Sequence, residues 1–191
     1  IYGDILNVAL PDILPNVKMK LAGNLPYNIA TEVLFRIFDW HEHFSSLVLM
    51  VQKEVADRIT SAPGSKSYGT LSVWCQVHGR VSEKINVSPE AFYPRPNVRS
   101  TILKIELLPE PRVTDENLPV LKGLVRAAFG QRRKTLSNAV GAWLARERNA
   151  VDGLLAAHGV DPRRRGESLS VDEFIKLAEA LRVSGLLPAS K

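Results

Sequence analysis

A change of pattern at Pro109-Glu110-Pro111 constrains the fold of this chain more than any other feature of its sequence. Before these residues, apolar runs with the length and composition of strands alternate with segments of helical spacing. After them, every periodic segment has helical spacing. Proline supplies no amide hydrogen to a helix or a sheet, so the two prolines end whatever element precedes them. We therefore expect an α/β domain over residues 1–110 and a small all-α domain over residues 111–191.

The first part of the chain predicts a mixed sheet with covering helices. Its predicted strands are Ile1-Tyr2, Val17–Ala22, Ser46–Val51, Val81–Val87 and Ser100–Leu107. Its predicted helices are Thr31–Trp40, Gln52–Ser61 and Tyr68–Gly79. The third strand is almost wholly apolar, which favours a parallel strand covered on both faces. The last two strands alternate in polarity and are separated by a proline-rich loop, so we expect an antiparallel pair that closes an otherwise parallel sheet.

The second part predicts helices. They are Leu118–Phe129, Lys134–Arg146, Val151–His158 and Val171–Leu181. Ser170 is placed to cap the last helix, and Glu173 occupies the position from which a side chain bonds back to the cap residue.

Basic residues concentrate in the helical part. The net charge is +5 and the pI is about 9.5. Between Leu121 and Arg148 one acid, Glu147, is accompanied by seven basic residues: Lys122, Arg126, Arg132, Arg133, Lys134, Arg146 and Arg148. A run of three more, Arg163-Arg164-Arg165, follows. Such asymmetry favours a face that binds nucleic acid, and the alternative is a helix surface that is merely solvated.

Several classes of site are disfavoured by composition. Cys75 is the only cysteine, so the chain has no internal disulfide and no cysteine-based zinc cluster. The four histidines are scattered, and we expect no metal site. The apolar run Leu47–Val51 is far too short to span a membrane, and no segment resembles a signal peptide. We expect a soluble protein of the cytoplasm that has no membrane partner.

Asn24-Leu25-Pro26-Tyr27 carries the groups that an enzyme needs in order to methylate the amine of adenine. That amine is a poor nucleophile because its lone pair is delocalised into the ring, so it must be gripped by acceptors while the base is held flat. Asn24 offers a side-chain carbonyl oxygen. Leu25 offers a backbone carbonyl, which Pro26 biases toward extended geometry. Tyr27 offers an aromatic face. The alternative for so short a motif is an ordinary turn between a strand and a helix.

Five segments occur in an order and spacing similar to the KsgA family of ribosomal RNA small-subunit adenine dimethyltransferases: Asn24–Tyr27, Gln52–Arg58, Tyr68–Ser72, Ala91–Pro96 and Ala128–Thr135. The resemblance runs from about Ile1 to about Leu181. It implies a Rossmann-like methyltransferase sheet, S-adenosylmethionine as methyl donor, and dimethylation of adjacent adenines in a hairpin loop of 16S RNA in the small ribosomal subunit. Gln131–Thr135 separates this branch from the macrolide-resistance methyltransferases that act on large-subunit RNA.

The resemblance also assigns roles to residues of the first part. Asn24, Leu25, Pro26, Tyr27 and Phe92 match the catalytic pocket, in which Tyr27 and Phe92 would hold the base after it leaves the stack. The alternative for Phe92 is a core aromatic, and Tyr93 is the less favoured second wall. Asp4 matches the residue that binds the adenine amine of the cofactor, and Asn24 lies near its methionine end.

The second part supplies the candidates for RNA binding. Arg132, Arg133 and Lys134 are expected at the start of a helix, where backbone N–H groups also favour phosphate. Arg126 and Arg146 are weaker candidates for the same surface. Their expected role is contact with the RNA backbone, which positions RNA without reading bases.

One departure from the family concerns the glycine-rich loop that cradles the cofactor. Only Gly3 and Gly23 precede the Asn24–Tyr27 motif in this sequence. We therefore expect that the N-terminal strands of the sheet and the cofactor loop are missing, that this fragment is inactive alone, and that the full-length protein is a monomer. The alternative is a non-catalytic module that binds ribosomal RNA during ribosome assembly.

Overall fold

A computed structural model describes residues 3–9, 14 and 17–187. The predicted strand Ile1-Tyr2 lies outside the described residues. The chain divides into two compact units. One comprises Ile1–Thr60 and Trp74–Pro111, and the other comprises Ser61–Val73 and Arg112–Lys191. The second unit thus includes a segment that precedes the proline-rich break, while the domain ranges 1–110 and 111–191 stay a prediction.

The first unit contains a four-stranded sheet in the order β1-β2-β4-β3. Its strands are β1 Met19–Asn24, β2 Phe44–Gln52, β3 Gly79–Val87 and β4 Ser100–Leu107. β1 and β2 are parallel, whereas β4 pairs antiparallel with both β2 and β3. The predicted α/β fold, with an antiparallel pair closing a parallel sheet, is confirmed.

Helices α1 Ala30–Asp39 and α2 Lys53–Ile59 belong to this unit, and α3 Thr70–His78 spans the boundary between the two. The core of the sheet comes from alternate residues of its central strands. Leu47, Leu49 and Val51 of β2 are buried, as are Leu103 and Ile105 of β4. β1 begins two residues later than predicted, because Met19 is the first residue that pairs with β2 and Val17 is exposed.

The second unit contains α4 Leu118–Gly130, α5 Leu136–Leu144, α6 Arg148–Ala157 and α7 Val171–Val183. Helix α7 begins with the predicted capping box, in which Ser170 accepts from the Glu173 N–H and Glu173 accepts from the Ser170 N–H. Close packing depends on two glycines. A Cβ on Gly123 would lie 2.2 Å from the Trp143 ring, and one on Gly166 would lie 2.6 Å from the Ala128 Cβ.

Over residues 3–9, 14 and 17–187, no helix combines the length and apolarity that a membrane crossing requires.

Candidate active site

The Asn24–Tyr27 motif lies where β1 ends and the chain turns toward α1. Asn24 is the last residue of β1, and Leu25 donates its backbone N–H to the Met50 carbonyl at 3.1 Å. The Leu25 side chain is 8% exposed, which anchors the turn in the core. The Pro26 carbonyl then accepts the Ile29 N–H at 3.2 Å and leads into the helix. Sheet pairing and one buried leucine therefore fix the backbone that carries the motif.

Two acceptors of the motif have no partner within the described part of the chain. The Asn24 side chain is exposed, and no hydrogen bond to it or to the Leu25 carbonyl occurs among residues 3–9, 14 and 17–187. A carbonyl oxygen that no internal donor occupies is free to accept from a ligand.

Tyr27 is held by a hydrogen bond to the sheet. Its hydroxyl lies 2.8 Å from the Ser100 Oγ, and either group can be the donor. Ser100 is fully buried at the first position of β4, where it pairs in register with Gln52 and Val87. A hydrogen bond to a sheet residue restricts the rotation of the tyrosine ring. Sequence analysis did not identify Ser100, since a serine at the start of a strand carries no functional signal of its own.

The loop between β3 and β4 supplies the second wall. Ser88 caps a short 3-10 turn at Pro89–Ala91 and accepts from the Glu90 N–H at 3.4 Å. Glu90 also forms an ion pair with Arg95 at 2.5 Å. Phe92, which follows the turn, is half-buried.

These two segments form one pocket with a volume of about 330 Å³. Its lining is Asn24, Leu25, Pro26, Tyr27, Phe92, Tyr93, Pro94 and Pro96. We call it the base pocket. Pockets for small molecules begin near 300 Å³, so it is suited to a single flat ligand. The structure thus brings the five predicted catalytic residues together, and their roles stay predictions.

The chemistry of the base pocket is neutral. Among its eight described residues, none carries a carboxylate, an imidazole or an ammonium group. Aromatic and proline faces combined with amide and carbonyl acceptors suit a planar ring that bears an amine. The eight lining side chains provide no positive charge for a phosphate or another anion.

Cys75 offers no nucleophile. Burial raises the pKa of its thiol to about 12, so the thiol is protonated at neutral pH. Within the described residues, no group of three or more histidine, cysteine or acidic side chains is placed to hold a metal ion.

Asp4, the other predicted cofactor residue, lies in a turn and does not line the base pocket. One carboxylate oxygen accepts from the Leu6 N–H and the other from the Asn7 side-chain amide, both at 2.9 Å. A carboxylate has about four acceptor sites, so Asp4 retains capacity for an amine. Asp4 and Asn24 thus have the chemistry for parts of S-adenosylmethionine, although these two residues alone do not make a complete site.

The predicted RNA-binding residues lie in the second unit, and one expectation about them is wrong. Arg132, Arg133 and Lys134 are in the turn between α4 and α5, not at the start of a helix. We call residues Gln131–Thr135 the basic turn. Thr135 caps α5, and the first helical residue is Leu136.

The first backbone N–H groups of α5 are already hydrogen-bonded within the protein, so they are not available to a phosphate. The N–H groups of Leu136 and Ser137 donate to the carbonyls of Arg164 and Pro162, at 2.7 and 3.2 Å. The Asn138 N–H donates to the Thr135 hydroxyl at 3.4 Å. Because protein carbonyls and a cap already satisfy these donors, the helix start cannot supplement the basic side chains as expected.

Arg132 has a role within the fold. Its guanidinium donates to the Tyr68 carbonyl at 2.7 Å and the Lys66 carbonyl at 3.1 Å, and it lies 3.6 Å from Glu167. Tyr68, fully buried, packs its ring against Phe129 at 5.7 Å. These contacts explain why Ser61–Val73 belongs to the second unit.

Four other predicted RNA-binding residues are exposed: Arg126, Arg133, Lys134 and Arg146. Among the residues that the structure describes, none of the four forms an ion pair. Arg164, by contrast, is held by Glu173 at 2.5 Å and by the Ser168 carbonyl at 2.6 Å. The exposed cations are thus available for a polyanion, whereas Arg132 and Arg164 already have partners in the protein.

Comparisons with known proteins agree with this geometry. Residues 1–182 match the family described as ribosomal RNA adenine dimethylase. Ribosomal RNA small subunit methyltransferase A from Geobacter metallireducens is 44% identical over 97% of this chain and 69% of its own length. The protein of the same name from Syntrophotalea carbinolica is 45% identical over 94% of this chain and 68% of its own length.

Two solved structures share the fold. The dimethyladenosine transferase from Plasmodium falciparum aligns with a TM-score of 0.81 and 23% identity, over 97% of this chain and 72% of that one. The 23S rRNA methyltransferase ErmE aligns with a TM-score of 0.62 and 20% identity, over 95% and 71%. At such identities the likeness concerns architecture, and it confirms the predicted methyltransferase-like sheet.

Proposed function

The chain belongs to the ribosomal RNA adenine dimethylase family, and from this premise we propose how its residues serve the reaction and on which RNA. Its function is the S-adenosylmethionine-dependent dimethylation of adenine in ribosomal RNA. The finer proposal is that the substrate is a pair of adjacent adenines in a hairpin loop of 16S RNA. The names of the relatives, which specify the small ribosomal subunit, support the choice of small-subunit RNA.

The observation that carries the proposal is the base pocket itself. A target adenine flipped out of its loop would lie between Tyr27 and Phe92, as enzymes that modify a base require. The Asn24 side-chain oxygen and the Leu25 carbonyl would then accept the two hydrogens of its amine. Such bonds direct the nitrogen lone pair out of the ring plane, where it can attack.

Positioning is the main contribution of these residues. Asn24 and Leu25 stabilise the positive charge that develops on the nitrogen, and the pocket presents the amine in one orientation. Ser100 acts through Tyr27, whose ring it orients. The amine loses one proton for each methyl group that it gains, and water accepts that proton because no pocket residue among the eight offers a carboxylate or imidazole.

When bound, S-adenosylmethionine supplies an electrophilic methyl group. In the proposal, Asp4 accepts from the adenine amine of the cofactor, and Asn24 lies near its methionine end. The proposal includes no metal ion, since neither the grip on the amine nor the loss of its proton needs one.

RNA binding is assigned to the helical part, residues 111–191. Arg133, Lys134, Arg126 and Arg146 would contact phosphates, and Arg132 would contribute to the same surface while it holds the fold. We propose that the protein acts as a monomer in the cytoplasm, where its ribosomal substrate is found.

The test is methyl transfer from labelled S-adenosylmethionine to unmethylated small ribosomal subunits, followed by digestion of the RNA to nucleosides. The full-length relative from Geobacter metallireducens serves as the positive control. The chain is assayed as it stands and with the N-terminal segment of that relative placed ahead of Ile1, and we expect dimethyladenosine at two adjacent positions of 16S RNA from the second version. If both versions bind the subunit but neither gives product while the relative does, the assembly module is the better description of the chain.

A further inference from the structure

Tyr93 differs from the other aromatic residues of the base pocket. Its side chain is fully exposed, at 102% of the reference value, whereas Tyr27 and Phe92 are half-buried. Across residues 3–9, 14 and 17–187, Tyr93 has no hydrogen bond and no ring contact. A large aromatic side chain in the lining of the pocket is thus fully exposed to water.

The backbone explains this placement. Phe92 is extended, with φ −121° and ψ 147°, and successive side chains of an extended segment point to opposite sides. Phe92 is half-buried in the lining of the pocket, whereas Tyr93, its neighbour in the same lining, is fully exposed, so the Tyr93 ring lies at the solvent edge of that lining. Pro94 and Pro96 limit the backbone freedom of the residues that follow. The Tyr93 ring is consequently presented at the rim of the pocket by a constrained loop.

The rim is where the neighbours of a flipped base must lie. A pocket of about 330 Å³ takes one base, and the nucleotides joined to it remain outside. These neighbours lose a stacking partner when the target leaves the loop. An exposed aromatic ring can replace that partner, because every base has a face that stacks.

We propose that Tyr93 forms a second base-binding subsite, in which its ring stacks on a nucleobase adjacent to the target adenine. The inference rests on the proposed function and adds a contact at the solvent edge of the base pocket, with a base other than the target. Stacking of this kind tolerates any base, so Tyr93 contributes affinity and holds the strand, while the pocket selects adenine.

The test is a double-mutant cycle in which substitutions of Tyr93 are combined with removal of individual bases of the RNA. The ligand is a hairpin with two adjacent adenines in its loop, bound by the chain without cofactor and measured by fluorescence anisotropy. In matched hairpins, one base at a time is replaced by an abasic nucleotide: the target, its 5′ neighbour or its 3′ neighbour. Tyr93→Ala, Tyr93→Phe and Tyr93→Leu are compared with Ile85→Ala, an exposed apolar control on β3.

We expect Tyr93→Ala to weaken binding of the intact hairpin about tenfold, as loss of one base stack does. That loss should disappear when one of the two neighbouring bases is abasic and persist when the target base is abasic. Tyr93→Phe should bind normally, Tyr93→Leu should behave as Tyr93→Ala does, and Ile85→Ala should have no effect.

Two outcomes would overturn the inference. An equal loss with every hairpin would show that no base is the partner of Tyr93. Coupling to the target base alone would make Tyr93 a wall of the base pocket. The same cycle with Phe92→Ala tests the proposed function separately. The loss of affinity caused by that variant should disappear when the target base is abasic. A third outcome, no binding of any hairpin, would also overturn the inference, whereas the proposed function would still be decided by methyl transfer to the small ribosomal subunit.

Discussion

The segments that line the base pocket and the basic turn resemble motifs of the same family, yet they differ in whether their polar groups are bonded within the protein. In the base pocket, the Asn24 side chain and the Leu25 carbonyl have no partner within the described residues, because sheet pairing and the buried Leu25 side chain already fix the backbone. In the basic turn, the Arg132 guanidinium donates hydrogen bonds to the carbonyls of Lys66 and Tyr68.

The difference shows that a motif can be specific for a family without every residue meeting the substrate. The base pocket is neutral and depends on shape and direction, so salt should affect it little. The basic turn combines one arginine that holds the fold with exposed cations whose attraction to RNA is screened by salt. The predictions below test this division, beginning with the largest effect.

In the version extended ahead of Ile1, Asn24→Ala should reduce turnover about 100-fold, the usual loss when one directed polar contact to a reacting group is removed. Affinity for RNA should change less than twofold, since the amide acts on the amine and not on the backbone. Single-turnover methylation and anisotropy titration measure the two effects. Asn28→Ala, in the same loop but outside the pocket, is the matched control. Normal turnover in the Asn24 variant would remove this residue from the mechanism.

Arg132→Ala should lower the free energy of unfolding by about 2 kcal/mol, because two backbone carbonyls lose a charged donor. Arg133→Ala, one residue further in the same turn, should change it by less than about 0.5 kcal/mol. Urea unfolding followed by tryptophan fluorescence compares them. Equal effects of the two variants would contradict the structural role that distinguishes Arg132.

In the same extended version, Tyr27→Phe and Ser100→Ala should each reduce turnover about fivefold, which corresponds to the net value of one hydrogen bond, about 1 kcal/mol. The double variant should be no slower than the single ones, since each removes the same bond. The Michaelis constant for RNA should not change. Additive losses in turnover would show that Ser100 acts by some route other than the Tyr27 ring.

The salt dependence of RNA binding distinguishes the charge contacts of the basic turn from the neutral contacts of the base pocket. Lys134→Ala should reduce the slope of log affinity against log salt by about 1, because one phosphate contact and its released counterion are lost. Phe92→Ala should weaken binding without changing that slope. If the two variants had the same slope, the assignment of charge contacts to the basic turn would fail.

The smallest effect concerns pH and the ion pair that supports the helical unit. The hydrogen bond from Arg164 holds the pKa of Glu173 below its usual value of 4.5. A carboxyl whose pKa is depressed by folding stabilises the protein above that usual value and loses the contribution as the pH falls below it. Glu173→Gln should therefore flatten the decline in melting temperature below pH 4.5. An unchanged decline would assign acid sensitivity to other groups.

Local pattern was sufficient for most elements of the fold. The predicted strand Ser100–Leu107 has the observed bounds, and the capping box at Ser170 and Glu173 forms as expected. Both depend on residues close together in the chain. The predicted start of α5, Lys134, is two residues too early. The helix begins at Leu136, because Thr135 caps it and the Leu136 and Ser137 N–H groups donate to the carbonyls of Arg164 and Pro162.

The candidate site was predicted in part. Asn24–Tyr27 and Phe92 were identified from sequence, and the structure places them around one pocket. Ser100 was missed because its partner, Tyr27, is 73 residues away. The sequence favoured Tyr93 less than Phe92 as the second wall of the pocket. Its full exposure depends on the path of the loop, which only the structure shows.

The sequence by itself determined the order of the strands and helices along the chain, the family and the chemistry of the candidate residues, since all of these depend on residue type and short spacing. Only the tertiary structure decided which of those residues remain available. Whether a polar group meets a ligand or a distant part of its own chain depends on contacts such as Arg132 with Tyr68, which local periodicity does not encode.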